Sequence, residues 1–172
     1  NTGSVEFDRN VYPVPWGNDS ADERFALHAT AAESTAWTSS HVATSHSLAQ
    51  GNVTVHVTVT DADYDVSAFG EDSISDGTSS DTRVELKIER GSDSVTVATF
   101  GDSTNPITET SPTSGVFEYD ATVGYRSGPS TNCPTTFSDT CVLQGDILTV
   151  TYNDIKDASG QAQSVTDSAT FD

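Results

Sequence analysis

The chain has 172 residues, enough for one sandwich-sized domain, and its 26 acidic and 7 basic side chains give a net charge of −19 at pH 7. Because phosphate binding needs clustered Lys and Arg, this charge excludes nucleic acid as an expected partner and favours small cations. The sequence has no apolar run long enough for a membrane-spanning helix, so we expect no direct membrane insertion.

Alternation of apolar and polar residues dominates the chain and predicts seven β-strands. In the second of these, Val55, Val57 and Val59 face one side and the intervening polar residues face the other. The predicted strands cover residues 4–13, 53–60, 83–89, 94–100, 116–125, 147–152 and 164–171. Seven short strands separated by turn signals are typical of an all-β, immunoglobulin-like antiparallel β-sandwich. We therefore predict one such domain over residues 1–172.

A stretch rich in Ser, Thr and Ala, residues 17–52, interrupts this pattern and is predicted to be an insertion. Residues 20–23 read Ser-Ala-Asp-Glu and fit a helix capping box. The apolar residues of positions 25–31 also alternate, which favours a strand. The segment therefore has a helical and an extended interpretation, of which the second is preferred.

Acidic residues occur in three predicted loops that gather at one end of such a sandwich. Carboxylates that converge need a counter-ion, because like charges at short range repel one another. Ca²⁺ takes six to eight oxygen ligands in flexible geometry, so it is the cation we expect. The candidate ligands are Asp61, Asp63, Asp65, Glu109, Asp154 and Asp157. The alternative is that all six are solvated surface charge.

The spacing of Asp61, Asp63 and Asp65 resembles the first ligands of an EF-hand loop. Val66 stands where that loop needs Gly, and the run follows a strand, so the sequence excludes an EF-hand. Solvated charge is the prediction for three acidic residues farther along the loop: Glu71, Asp72 and Asp76.

Catalytic motifs are absent from the sequence. It contains no G-x-S-x-G, no H-E-x-x-H, no phosphate-binding loop and no dinucleotide fingerprint. Any two of 26 acids could be named as a glycosidase pair, so such a pair has no specificity. The histidines are predicted to be ordinary surface residues: His28, His41, His46 and His56. We expect a protein that is not an enzyme.

Two cysteines, Cys133 and Cys141, lie in one loop-like stretch. The acidic, Ser/Thr-rich composition is typical of a secreted chain, so a disulfide that pins this loop is favoured over two free thiols. Asn18 and Asn52 each begin an N-x-S/T sequon and are glycosylation candidates, which adds weak support for an extracellular location.

Four segments resemble, in order, the repeated domains of the S-layer proteins of ammonia-oxidising archaea. VEFDRNVYPVPWG resembles their opening strand, and VTVHVTVTDADYDVSAFGEDSI resembles their second strand and acidic loop. TETSPTSGVFEYDATVGY and the run from residue 128 to residue 172, with its cysteine pair, resemble their later segments. The resemblance covers nearly the whole chain outside residues 17–50.

This resemblance implies an immunoglobulin-like module of a longer multi-domain protein that tiles the cell surface as a two-dimensional lattice. Its expected partners are neighbouring S-layer subunits, adjacent domains of the same chain and small cations. Such coats are cation-dependent, and their acidic pores favour the passage of small cations. The positions that match the family's acidic loop and later turn are Asp61, Asp63, Asp65, Asp154 and Asp157.

A glycan- or cell-binding adhesin repeat is the alternative function. Trp16, Trp37 and Tyr64 offer aromatic platforms on which sugars could stack. The competing interpretation is that Trp16 packs beside Pro13 and Pro15 and that Trp37 covers the insertion.

Overall fold

A computed structural model describes residues 1–13, 51–125 and 145–172, and these residues form ten β-strands and no helix. The strands are β1 (Ser4–Phe7), β2 (Val11–Tyr12), β3 (Gly51–Thr60), β4 (Ser73–Ile74), β5 (Val84–Arg90), β6 (Asp93–Phe100), β7 (Ile107–Glu109), β8 (Val116–Tyr125), β9 (Ile147–Asp154) and β10 (Gln163–Phe171). They build two five-stranded sheets, in the orders β1-β3-β8-β7-β4 and β2-β10-β9-β5-β6. The predicted immunoglobulin-like β-sandwich is confirmed.

The first predicted strand divides between the two sheets. β1 pairs antiparallel with β3, whereas β2 pairs parallel with β10 in the other sheet. Phe7 and Tyr12 are both buried, although they are five positions apart and one continuous strand would place them on opposite faces. The switch between sheets brings both rings into the core, where they meet edge to face with centroids 6.0 Å apart.

The core lies between the sheets and follows the alternation seen in the sequence. Each fully buried aliphatic or aromatic side chain contributes roughly 1.5–3 kcal/mol relative to exposure. The four long strands that supply most of the core contribute Val55, Val57, Val59, Val84, Leu86, Ile88, Phe117, Ala121, Val123, Leu148, Val150 and Tyr152. The packing of this core fixes the strand ends from which the loops begin.

Two short strands, β4 and β7, were not among the predicted strands. β6 forms a hairpin with β5, which turns at Gly91 with a φ of 62°, and becomes the edge of the second sheet. The place beside β8 is taken by β7, a three-residue strand that ends at Glu109 and that pairs with the two-residue β4. Strands this short are below the length at which alternation is recognisable.

Several predictions fall outside the described residues. They concern the cysteines 133 and 141, the sequon at Asn18, the tryptophans 16 and 37, three histidines and most of the insertion at 17–52. Asn52 lies in β3, but its side chain is likewise not described. His56 lies half exposed on β3, as predicted, where its Nδ1 contacts Asp120 of β8. The described ranges contain no helix with the length and apolar character of a membrane span.

Candidate functional site

Three loops meet at one end of the sandwich, which we call the loop end: residues 61–72, 110–115 and 155–162. The backbone N–H of Asp61 donates to the carbonyl of Gly115 at 2.8 Å, which joins the first two loops. The hydroxyl of Tyr152 near the end of β9 donates to Oδ2 of Asp61 at 2.5 Å, and Asp63 of the first loop and Lys156 of the third line the same surface pocket. The expected convergence of distant acidic segments is therefore present.

Asp61 is 1% exposed and both of its carboxylate oxygens accept hydrogen bonds. Its Oδ1 accepts from the backbone N–H of Asp63 at 2.9 Å, opposite the bond from Tyr152. Burial raises the pKa of Asp61, and the nearby charges of Asp154 and Asp63 add to this, although the two donors oppose it. Through these two hydrogen bonds Asp61 links β9 to the loop that follows β3.

Asp154 and Asp63 are held in different ways. Asp154 is 2% exposed, and its Oδ2 accepts from the backbone N–H of Gly3 at 2.9 Å. Its Oδ1 accepts from the backbone N–H of Lys156 at 2.8 Å, which starts the loop between β9 and β10. Asp63 is exposed, and its Oδ1 lies 3.0 Å from the amino nitrogen of Asn1. Neither residue contributes to a cluster of three acidic ligands among the described residues.

Asp157 shapes the tight turn before β10. Its Oδ1 accepts from Ser159 Oγ at 2.6 Å and from the backbone N–H groups of Ser159 and Gln161 at 2.8 and 3.0 Å. The hydroxyl of Ser159 and the N–H of Gln161 hold the pKa of Asp157 below its usual value. An open surface pocket of about 560 Å³ lies beside this turn, lined in part by Asp63 and Lys156.

Asp65, Asp72 and Glu109 form the acidic cluster of the loop end. A carboxylate oxygen from each lies within 4.8 Å of the others, and the described residues contain no other such group of three His, Cys, Asp or Glu side chains. Glu109 is buried at the end of β7, while Asp65 and Asp72 lie half-buried on the loop between β3 and β4.

Glu109 is fixed by hydrogen bonds from neutral groups. Its Oε1 accepts from the backbone N–H of Gly115 at 2.7 Å and from Ser114 Oγ at 3.2 Å. Its Oε2 accepts from the backbone N–H of Asp72 at 3.1 Å, and the N–H of Glu109 donates back to the carbonyl of Asp72 at 2.9 Å. Burial alone would raise the pKa of Glu109, but the bonds from Asp72, Gly115 and Ser114 lower it. The side chain is therefore charged at neutral pH and firmly held.

Asp72 organises the loop, whereas Asp65 lacks such support. Oδ2 of Asp72 accepts from the backbone N–H groups of Val66 and Ser67, each at 2.7 Å. Asp65 accepts no hydrogen bond from any residue in the described ranges. Partial burial and then the charges of Glu109 and Asp72 raise the pKa of Asp65. Its carboxyl group is held against two others, and no donor within those ranges compensates it.

The structure thus brings together two of the six predicted ligands, Asp65 and Glu109, and adds Asp72. Asp72 was expected to be solvated, but β4 pairs with β7 in a register that sets Ser73 opposite Thr108 and so places Asp72 beside Glu109. The two-residue β4 carries no periodicity, so the sequence gives no signal for this approach. The other predicted ligands belong to no group of three ligand atoms among the described residues: Asp61, Asp63, Asp154 and Asp157.

A buried arginine neutralises two acidic residues of the next loop, between β4 and β5. Arg83 is 5% exposed, and its Nε and Nη1 lie 3.0 Å from Asp76 and 2.9 Å from Asp81. Tyr64 donates its hydroxyl to Asp76 at 2.8 Å and packs its ring edge-on against Phe117, with centroids 6.3 Å apart. Within the described ranges no ion pair of this kind reaches the acidic cluster.

The tip of the loop beside the cluster is apolar. The side chains of Phe69 and Val66 are 99% and 81% exposed. Ser67 Oγ accepts from the backbone N–H of Gly70 at 3.2 Å, so a polar contact rather than apolar packing shapes this tip.

The donor set of the cluster consists only of carboxylate oxygens, which suits hard cations such as Ca²⁺ rather than metals that prefer nitrogen or sulfur ligands. The sequence matches no protein-family model and no curated protein.

Proposed function

We propose that this chain is a non-catalytic structural module of an extracellular lattice on the cell surface, the S-layer class its sequence resembles, and that divalent cations stabilise it. The observation that carries the proposal is the acidic cluster, in which Asp65 has no hydrogen-bond donor among the described residues and lies against Glu109 and Asp72. A cation held by these oxygens would remove the repulsion that raises the pKa of Asp65.

Charge gives the physical reason why such a module needs cations. Copies with a net charge of −19 repel when they pack side by side, over a screening length of about 8 Å at physiological ionic strength. Bound Ca²⁺ lowers this charge and rigidifies the loops at once. Acidic surfaces that stay uncompensated raise the local concentration of small cations, which suits a cation-permeable coat.

The adhesin alternative gains no support from the one of its aromatic candidates that the structure describes. Of its three aromatic candidates only Tyr64 is described, and this ring packs against Phe117 while its hydroxyl is bonded to Asp76. A platform for sugar stacking needs a free aromatic face.

Thermal unfolding with added CaCl₂ or EDTA tests the cation. We expect Ca²⁺ to raise the melting temperature, since a ligand at 100 times its Kd stabilises the folded state by about 2.7 kcal/mol. The Asp65→Asn variant should lose this response and, in EDTA, should melt higher than the natural chain because one repelling charge is gone. Glu71→Gln is the matched control, since it removes the same charge from an exposed position of the same loop and should keep the Ca²⁺ response.

If the natural chain has the same melting temperature in CaCl₂ and in EDTA, the cation site is refuted. Electron microscopy tests the lattice separately: ordered assemblies should form with Ca²⁺ and disperse in EDTA. A chain that stays monodisperse at every cation concentration, and that binds on a glycan array, would instead favour the adhesin.

A further inference from the structure

The turn between β7 and β8 contains a strained residue, Thr113. Its φ is 71°, whereas every other described residue with a positive φ is a glycine. The N–H of Ser114 donates to the carbonyl of Ser111 at 3.1 Å, so Thr113 occupies the third position of a four-residue turn, directly after Pro112. Glycine is favoured at that position when φ is positive, and a β-branched residue there is a genuine outlier. The chain thus keeps a threonine where a glycine would be more stable.

The hydroxyl groups of this turn divide into two pairs. Ser114 Oγ donates to Oε1 of Glu109 at 3.2 Å, and it lies 3.2 Å from Oγ1 of Thr110. Ser111 and Thr113 are exposed, and their hydroxyls form no hydrogen bond with any residue in the described ranges. Within those ranges no hydrogen bond of the Thr113 side chain offsets its strain. An outlier of this kind points to a function of the side chain itself.

Hydrogen bonds hold the turn at both of its ends. The N–H of Thr110 donates to the carbonyl of Val116 at 2.8 Å. The N–H of Gly115 donates to Oε1 of the buried Glu109 at 2.7 Å. Thr113 is therefore presented outward from a fixed base, and its hydroxyl is accessible from solvent.

We propose that Thr113 is a site of O-linked glycosylation. Its Oγ1 attacks the anomeric carbon of a sugar nucleotide, which a transferase of the producing cell supplies. The bond from that carbon to the phosphate breaks, the nucleotide leaves with the bonding electrons, and the hydroxyl proton passes to a base of the transferase. Ser/Thr-rich segments with proline are typical of O-glycosylated chains, and residues 110–114 read Thr-Ser-Pro-Thr-Ser. The inference requires neither the cation site nor the lattice.

The charge of the loop end favours a neutral sugar over a phosphate. A phosphoryl group adds about 1.5–2 negative charges and disrupts structure when it lies next to Asp or Glu. The same turn holds Glu109, and Asp65 and Asp72 lie against it in a chain with a net charge of −19. A neutral glycan at Thr113 adds bulk and hydroxyl groups without adding charge.

Mass spectrometry of the protein purified from the cells that produce it tests the site. Trypsin releases residues 91–126, between Arg90 and Arg126, as one peptide. Electron-transfer fragmentation should locate a mass increase of one or more sugar units on Thr113. An unmodified Thr113, or a phosphate there, would overturn the proposal. Sugar spread evenly over the exposed Ser and Thr residues of this peptide would also contradict a specific site.

Variants separate glycosylation from a structural role of Thr113. Thr113→Ser keeps a hydroxyl and should keep the sugar, whereas Thr113→Gly should lose it. Thr104→Ala removes an exposed threonine two positions before Pro106 and should leave the sugar content of the peptide unchanged. In chains made without the transferase, Thr113→Gly should melt about 2–4 °C above the natural chain, because the backbone strain is relieved. A lower melting temperature would mean that the Thr113 side chain stabilises the fold, which would remove the ground for the proposal.

Discussion

Two buried carboxylates at opposite ends of β9 show two ways to hold a charge inside this sandwich. Asp146, just before β9, is 2% exposed and receives Nε and Nη2 of Arg90 at 2.7 and 2.6 Å. Asp61, beside the other end of β9, is 1% exposed and receives the Tyr152 hydroxyl and the backbone N–H of Asp63. The guanidinium of Arg90 compensates the charge of Asp146, whereas only neutral donors bind the carboxylate of Asp61.

The difference explains why the loop end is where an external cation is expected. A buried carboxylate is tolerated only when it is paired or fully hydrogen-bonded. Neutral donors satisfy the oxygens of Asp61, Asp154 and Glu109 but leave their charges in place. Negative potential therefore accumulates at this end, and Asp65 experiences it most directly, because no donor within the described residues compensates its carboxylate.

The largest effect should come from the compensated end. Arg90→Met would remove the guanidinium from buried Asp146 and should lower the free energy of unfolding by roughly 3 kcal/mol, as when one partner of a buried pair is deleted. Guanidinium chloride unfolding measures the loss. Lys87→Met is the control, because the Lys87–Glu85 pair lies at the surface and should be worth at most about 1 kcal/mol. Equal losses in the two variants would mean that burial adds nothing to the pairing of Arg90 with Asp146.

An intermediate effect is expected at the other end of β9. Tyr152→Phe would leave Oδ2 of Asp61 without its donor and should cost about 1–3 kcal/mol in urea unfolding at pH 7. Tyr12→Phe is the matched control: its ring is equally buried, but its hydroxyl bonds Asp8, whose side chain is partly exposed and can recruit water. If the Tyr12 variant is as unstable as the Tyr152 variant, burial of the accepting carboxylate does not increase the cost of losing its donor.

The same variant has a pH dependence whose sign follows from Asp61. The folded state raises the pKa of Asp61 above its ordinary value of 3.8, so the stability linked to its protonated form is present at low pH and is lost as pH rises through the folded pKa. Removing the Tyr152 donor raises that pKa further. The difference in unfolding free energy between Tyr152→Phe and the natural chain should therefore be larger at pH 7 than at pH 3, and a constant difference would contradict it.

The sequence was informative wherever a strand buries one face over several residues. Alternation located β3, β5, β8, β9 and β10, because each of these must place every second side chain in the core. It could not show that Tyr152 bonds Asp61, which lies 91 positions away, nor that the two-residue β4 carries Asp72 to Glu109. Asp61, Asp65 and Asp72 look alike in the sequence, and only their hydrogen-bond partners distinguish them. Asp61 links β9 to the loop after β3, Asp72 binds backbone N–H groups of its own loop, and Asp65 has no donor among the described residues.

The smallest effect should come from the apolar tip of the same loop, and it sharpens what holds the loop end together. Phe69 is 99% exposed, so Phe69→Ser removes little buried surface and should change the unfolding free energy by less than about 0.5 kcal/mol. Ser67→Ala should cost more, although Ser67 is smaller, because its Oγ accepts from the backbone N–H of Gly70. Thermal unfolding of the two variants side by side makes the comparison. If the order is reversed, apolar contacts with Phe69 hold the tip, and the polar contacts of Ser67 do not.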